Sequence, residues 1–364
     1  MTSQRPDPNI TGEARERNAP LIERLAGQVI DLEPRYLLQM AHLTVPATVW
    51  KYVEGAVTKS KANLVMLDLE DSIPRANEEL LQQGRANVVR AFNELDWGAR
   101  LRFFRPRGLE LDPAHEDIAV ICEQAGARLD GLIYPKVESA DEVRSIDATL
   151  ARLERKLGLP SGRIRIEVLI ESCSAEREVF EIARSSRRLV GLVFGSYDYW
   201  ASLGMGARTY RADHPLINQA RGVVVKAAAS VGIPAIAEMT TNYPTRDKSE
   251  EERRAAIEEF RRDALLARDF GFAGKWTGIP EQSLMAVEIF QVADDEIASA
   301  VEEARQFLIA EREGRGATMI AGKMADRATD RLNRNTLKIA YALGRLDEET
   351  AADLGLKPDG EGER

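Results

Sequence analysis

Eight short, β-branched apolar runs alternate with amphipathic helical patterns between residues 39 and 277, and this alternation limits the fold more than any other feature. The runs predict strands near Gln39–Val45, Asn63–Glu70, Arg100–Arg105, Gly131–Lys136, Ile164–Ile170, Leu189–Phe194, Pro234–Met239 and Phe272–Thr277. Segments between them, such as NEELLQQGRANVVRAFNEL and EEERRAAIEEFRRDALLARDFG, gather apolar residues on one helical face. Eight strand–helix units match an α/β fold of the closed (β/α)8 TIM-barrel type. A doubly wound open sheet is the competing architecture. It would announce a G-x-G-x-x-G turn after an early strand, and none occurs in that context.

Residues 1–34 read as a polar N-terminal tail and lead-in, 35–292 as the barrel, 293–354 as a C-terminal helical extension acting as a lid, and 355–364 as a mobile tail. Within the extension, GRGATMIAGKM interrupts two helical patterns, and its glycines predict a flexible hinge. The net charge of −9 leaves no basic surplus for a nucleic-acid partner. No window approaches the roughly 18 continuous apolar residues of a membrane helix. The two cysteines, Cys122 and Cys173, lie in apolar contexts, and no Cys/His spacing suggests zinc. With no signal-like N-terminus, these features predict a cytoplasmic protein.

In such barrels chemistry sits where strands end. The predicted ends carry Glu70 and Asp71, Arg105, Lys136, Glu171, Asp198, Glu238 and Lys275, all expected to face one rim. Crowded carboxylates need a proton or a cation between them. Without histidine or cysteine ligands, a hard cation is indicated, Mg²⁺ or alternatively Mn²⁺, with Glu171 and Asp198 as the pair. The alternative is that each acid caps the helix that follows. In LDLEDSIP, alternation puts Asp68 and Glu70 on one face; Glu70 and Asp71 are assigned a supporting role through metal-bound water. Arg105 is a candidate for binding a carboxylate or stabilising an oxyanion, and Arg107 is expected to be solvated. Lys136 is open to three readings: a buried pair with Glu238, an ammonium ion-paired to nearby acids, or a Schiff-base nucleophile.

The stretches LVMLDLEDSIP, RFFRP, GLIYPKVES, IEVLIES, LVFGSYDYWASLG, GFAGKWTGIPEQ and GRGATMIAGKMAD stand in the order found in the HpcH/HpaI aldolase and citrate lyase beta-subunit-like superfamily. The chain resembles its malyl-CoA lyase branch over residues 39–354. That resemblance implies a barrel with a C-terminal lid, Mg²⁺ held by Glu171 and Asp198, and an active-site arginine at Arg105. It also implies that backbone amides of Gly195-Ser196-Tyr197 receive a 2-oxo acid carboxylate. Asp326 is implied as the acid/base that the lid of a neighbouring subunit delivers; the alternative is a helix N-cap. The implied activity is carbon–carbon cleavage of a malyl-CoA or citramalyl-CoA type ester to an acyl-CoA and a 2-oxo acid such as glyoxylate or pyruvate, in a homotrimer or homohexamer. The sequence departs from the family at Met40 and Ala41, where an arginine–serine pair is usual, and at Gly278-Ile279-Pro280, where I-H-P is usual. Both places are associated with acyl-CoA recognition in relatives. A CoA-independent aldolase for small 2-oxo acids, an accessory subunit of a larger lyase assembly, and thioester hydrolysis after condensation stay open.

Overall fold

The computed structural model describes residues 14–21, 29–30 and 32–356, so most of both expected tails lies outside the described residues. Eight strands form a closed parallel barrel in chain order: β1 (Ala41–Pro46), β2 (Leu64–Asp68), β3 (Leu101–Arg105), β4 (Gly131–Tyr134), β5 (Arg165–Ile170), β6 (Leu189–Phe194), β7 (Ala235–Ala237) and β8 (Gly274–Thr277). The intervening helices are α1 (Trp50–Lys59), α2 (Glu78–Glu94), α3 (Glu116–Ala125), α4 (Ala140–Leu157), α5 (Cys173–Arg184), α6 (Ser196–Ser202), α7 (Pro215–Ser230) and α8 (Glu250–Phe270); α9 (Pro280–Phe290) follows β8. This is the expected (β/α)8 fold.

Closure depends on a glycine. β8 pairs with β1 in the register Ala41↔Lys275, His42↔Trp276 and Leu43↔Thr277. A side chain at Gly274 would collide with the Gln39 carbonyl, so any larger residue would push the seam apart. Local signals set the helices that aim the strands. Ser249 and Glu252 form a capping box at the start of α8, and Gly271, at φ 95°, ends it.

One apolar layer fills the space between strands and helices, with Leu43, Leu67, Ile118, Val168 and Phe260 among its buried members. A smaller one fills the barrel lumen, including Met66, Phe103, Ile133, Leu169 and Trp276. The lumen also holds a buried polar triad. Gln39 Nε2 donates to the Tyr36 and Val190 carbonyls (2.9 and 2.8 Å), which leaves Gln39 Oε1 to accept from His42 Nε2 at 2.8 Å. His42 Nδ1 is then an acceptor, facing Glu167 at 3.5 Å. Burial pushes Glu167 up to about 8 and His42 down to about 3.

Beyond the barrel lie α10 (Asp294–Arg312), β9 (Ala317–Ile320), β10 (Lys323–Asp326), α11 (Arg327–Ala342) and α12 (Glu348–Asp353). The glycine-bearing break, expected as a hinge, is an antiparallel hairpin. Its two-residue turn puts Ala321 at φ 47° and Gly322 at φ 78°, the left-handed pair that tight hairpins use. No described helix is long and apolar enough to cross a membrane.

Glu167 has an ordinary value of 4.5 and a folded value near 8, so it binds more protons folded than unfolded between those pH values. Its contribution is therefore present below pH 4.5 and lost as pH rises through 8. Glu167→Gln, a stand-in for the neutral acid, is expected to flatten the fall in urea midpoint between pH 5 and pH 8; an unchanged slope would place the loss in other groups.

Candidate active site

β2 stops at Asp68, which leaves Glu70 and Asp71 in the loop that follows, at the mouth. Asp68 turns inward and grips Arg105 of β3 in a bidentate pair, Nε to Oδ1 at 2.6 Å and Nη2 to Oδ2 at 2.9 Å. It also accepts from the Glu70 and Ser72 amides at 3.0 and 3.1 Å, so one carboxylate fixes both the arginine and the acidic loop. The Arg105 Nη1 group lies 3.0 Å from Glu70 and 3.2 Å from Asp71, and the guanidinium stands over the Trp276 ring. Burial works against the charge on Arg105, but the three carboxylates outweigh it and hold the guanidinium protonated above its usual range.

Lys136 follows β4 in a left-handed conformation (φ 51°), which aims its amide at Glu171 Oε1 (2.8 Å). Its ammonium lies 2.5 Å from Glu70 Oε1 and 3.3 Å from Asp71 Oδ1. These carboxylates hold it charged, above the usual lysine range despite partial burial, so an ion-paired ammonium is the arrangement observed. The pair with Glu238 is not formed. Glu238 instead bonds Arg221 of α7, and its carbonyl accepts from Lys275 Nζ at 2.6 Å. The expectation that every charged strand end faces one rim fails at these two residues: Glu238 turns to Arg221 of α7, and Lys275 is buried against the Glu238 carbonyl. Arg107 is not solvated either; it makes two hydrogen bonds to Asp117 at 3.0 and 3.2 Å.

Glu171, at the end of β5, is buried, whereas Asp198, in the first turn of α6, is exposed. Glu171 is no cap, because Ser172 caps α5 through the Ala175 amide. Gly195 lies where a Cβ would come within 2.6 Å of Glu171 Oε2, so its lack of a side chain leaves room for the carboxylate. Burial first, then the charges of Asp198 and Glu70, push Glu171 up to about 8. Glu70, Lys136, Glu171 and Asp198 line one cavity of about 500 Å³, with Arg75 and the Gly108–Leu111 loop on its outer side.

This donor set fits a hard cation. The groups are carboxylate oxygens, with Glu171 buried and Asp198 beside it on the same cavity wall. Among the described residues no three His, Cys, Asp or Glu side chains gather closely enough to hold an ion alone. Two carboxylates plus water or ligand oxygens is the shell that Mg²⁺ favours.

The turn Gly195–Tyr197 opens α6 with no side-chain cap, so its first amides are left for another acceptor. Sequence reasoning missed what braces it. Tyr210 bonds Ser196 Oγ at 2.8 Å and stacks on Tyr197 at 4.3 Å, and the Tyr197 hydroxyl meets Thr241 Oγ1 at 2.8 Å. No local motif marks Tyr210; only the fold brings it back onto the turn. Asp326 lies apart. Its carboxylate is the N-cap of α11, accepting from the Ala328 and Thr329 amides at 2.8 and 3.1 Å, and it does not line the cavity of its own chain.

The two sequence departures separate in space. Met40 and Ala41 are buried where β1 begins, at the opposite end of the strand from the mouth. Gly278, Ile279 and Pro280 line a more apolar cavity of about 530 Å³ at the mouth end, with Lys51, Tyr52 and Lys59. A side chain at Gly278 would strike the Tyr243 ring, so tyrosine fills that space.

The sequence profile of the HpcH/HpaI aldolase/citrate lyase family matches residues 46–277. The chain belongs to that family. An L-malyl-CoA/beta-methylmalyl-CoA lyase of Cereibacter sphaeroides is 32% identical over 284 residues, 74% of this chain and 85% of the relative. Two solved structures share the fold: a citrate lyase from Burkholderia xenovorans (TM-score 0.69, 22% identity, 91% of this chain and 98% of that one), and the protein CitE from Mycobacterium tuberculosis in complex with magnesium, acetoacetate and coenzyme A (TM-score 0.59, 22% identity, 83% and 97%). This member of the HpcH/HpaI family is a lyase.

Asp68→Asn removes the charge opposite a buried guanidinium and is expected to cost about 3 kcal/mol, the order for breaking a buried pair. Urea unfolding checks this, and a loss within error of zero would mean that Glu70 and Asp71 suffice to hold Arg105.

Proposed function

We propose that the protein is a Mg²⁺-dependent carbon–carbon lyase that cleaves a malyl-CoA or citramalyl-CoA type 3-hydroxyacyl-CoA to an acyl-CoA and a 2-oxo acid such as glyoxylate or pyruvate, and runs the condensation in reverse. The observation that carries this reading is the convergence of Glu171 and Asp198 on one cavity beside Arg105, in a chain built like the malyl-CoA lyases. Glu171 and Asp198 would hold the ion, which when bound draws substrate oxygens and lowers the pKa of the hydroxyl that becomes the new carbonyl. Mn²⁺ suits the same oxygen donors.

The uncapped amides of Ser196 and Tyr197 receive the 2-oxo acid carboxylate, with Gly195 giving the close approach. Arg105, fixed by Asp68, stabilises charge on the enolate as the bond breaks. Glu70, Asp71 and Lys136 set the charge balance around it and orient the water shell. Asp326 moves the proton, as base in one direction and acid in the other. Since it caps α11 and is absent from its own chain's cavity, the reading has Asp326 supplied by a neighbouring copy in a homotrimer or homohexamer, with residues 293–354 as the lid. The cavity of Gly278–Pro280 supports a CoA substrate: it offers apolar wall beside two ammonium groups, Lys51 and Lys59, suited to a long thioester arm and its phosphates.

The decisive experiment is mass spectrometry of products after incubation with a panel of hydroxyacyl thioesters, with and without chelator. A 2-oxo acid and an acyl-CoA are expected only when divalent ion is present. Chelator-insensitive turnover would overturn the metal, and release of free hydroxy acid would show thioester hydrolysis. Asp326→Asn is expected to retain ligand binding while turnover falls by about 10²–10⁴, the range for losing a general acid–base group; near-normal turnover would remove it from the mechanism. Tyr210→Phe is expected to raise KM for the 2-oxo acid in the condensation direction about fivefold, one neutral hydrogen bond's worth, with kcat little changed. An unaltered KM would mean that the turn needs no brace.

A further inference from the structure

At the N-terminal end of the barrel, opposite the mouth, lies a cavity of about 440 Å³ that the lyase reading does not use. Arg35, Lys61, Asn63 and Arg100 line it above an apolar floor that includes Leu38 and Leu101, and Ala342, the last residue of α11, closes one side. Among the described residues no carboxylate lines it. Arg100 donates to two neutral groups, the Ser60 carbonyl at 2.6 Å and the Trp97 carbonyl at 3.3 Å, and its Nε is buried with no partner. Among the described residues neither Arg100 nor Lys61 has a carboxylate within ion-pairing distance.

The surroundings do not supply the missing charge. Arg35, Arg102 and Arg163 all converge on one buried acid, Asp130, at 2.9, 3.1 and 3.6 Å. Glu33 is engaged by Arg165 at 3.1 Å. Among the described residues, Asp130 and Glu33 are thus taken up by four arginines, and neither pairs with Arg100 or Lys61. A partly buried guanidinium with only carbonyl partners lacks the counter-charge that such groups ordinarily have.

We propose that this cavity is a binding site for a small organic phosphate with a planar or apolar body. A guanidinium and an ammonium lining one cavity can recognise phosphate oxygens with charge-assisted hydrogen bonds. The leucine and alanine floor accepts a ring, Asn63 adds a polar group at its edge, and the volume is that of a nucleotide-sized pocket. The site lies at the far end of the strands from Glu171, so it stands or falls separately from the lyase reading.

The test is thermal unfolding of the full chain in low salt with chelator present, titrated with ADP and, in parallel, with adenosine. ADP is expected to raise the midpoint saturably and adenosine to leave it unmoved. Arg100→Gln is expected to weaken the ADP affinity about tenfold, as for loss of a charged hydrogen bond. Because Arg100 also braces two carbonyls, Lys61→Gln serves as the variant that spares the fold, with an expected loss of about threefold. Lys226→Gln, on the exposed side of α7 and lining neither cavity, is expected to keep the full effect. The proposal is overturned if ADP gives no shift, if adenosine matches it, or if Arg100→Gln and Lys61→Gln leave the shift no smaller than Lys226→Gln does.

Discussion

The bidentate pair between Asp68 and Arg105 is the contact on which the mouth of the barrel depends. It joins the ends of two neighbouring strands, and the same carboxylate pins the Glu70 and Ser72 amides. Without it, the loop that carries Glu70 and Asp71 would lose its anchor, and a buried guanidinium would lose its closest anion. Everything else at the rim is arranged around that charge. Glu70 bridges Arg105 and Lys136, and the amide of Lys136 then fixes Glu171. Asp68, Glu70, Asp71, Glu171 and Asp198 gather around Arg105 and Lys136 there, while Arg75 on the outer side of the cavity is paired with Glu110. Burial and that surplus of carboxylates together raise Glu171.

A second network shows why a charge at a strand end is not by itself a site residue. Glu238 comes directly after β7, as Glu171 comes directly after β5. Yet Glu238 meets Arg221 on α7 and belongs to the layer between strands and helices, while Glu171 turns to the lumen side. β7 is only three residues long, so a one-residue difference in where it begins and ends reverses the face on which the next side chain stands. Lys275 shows the same effect one position earlier in β8: it is fully buried against Phe260 and the Glu238 carbonyl, whereas its neighbour Trp276 enters the lumen beneath Arg105.

That parity problem marks how far the sequence could be read. The eight strands were legible because each is a short apolar run bounded by an amphipathic helix, and the closed order follows from their number. The carboxylates at 171 and 198 were legible as neighbours because one apolar run stops at Glu171 and the next, ending at Gly195, is followed three residues later by Asp198. The hairpin at 317–326 was not, since its strands are four residues each and the glycines that close its turn read equally well as a hinge. Nor was Arg107 legible: its partner Asp117 lies on α3, and nothing within the RPRG segment announces a bidentate acid ten residues away. Tyr210 and the Gln39–His42–Glu167 triad depend on contacts between distant strands and loops, which periodicity does not record.

The departures from the family pattern carry different weights once their positions are compared. Met40 and Ala41 occupy the closed end of β1, packed under the lumen, where a side chain has no path to a ligand entering at the mouth. An apolar pair there is a packing choice at the closed end of the strand. Arg35, the nearest arginine upstream, is engaged with Asp130 on the same closed end and does not substitute for the family's arginine. Gly278–Pro280 is the departure that faces a cavity. With Tyr243 occupying the space beside Gly278 and Ile279 in the place of a histidine, the wall there is more apolar than the family pattern implies. Its polar contacts with a ligand would therefore fall to Lys51 and Lys59 on α1. Recognition of an acyl-CoA through those two ammonium groups would be more salt-sensitive than recognition through a histidine hydrogen bond, because exposed charges are screened within about 10 Å at 0.1 M salt.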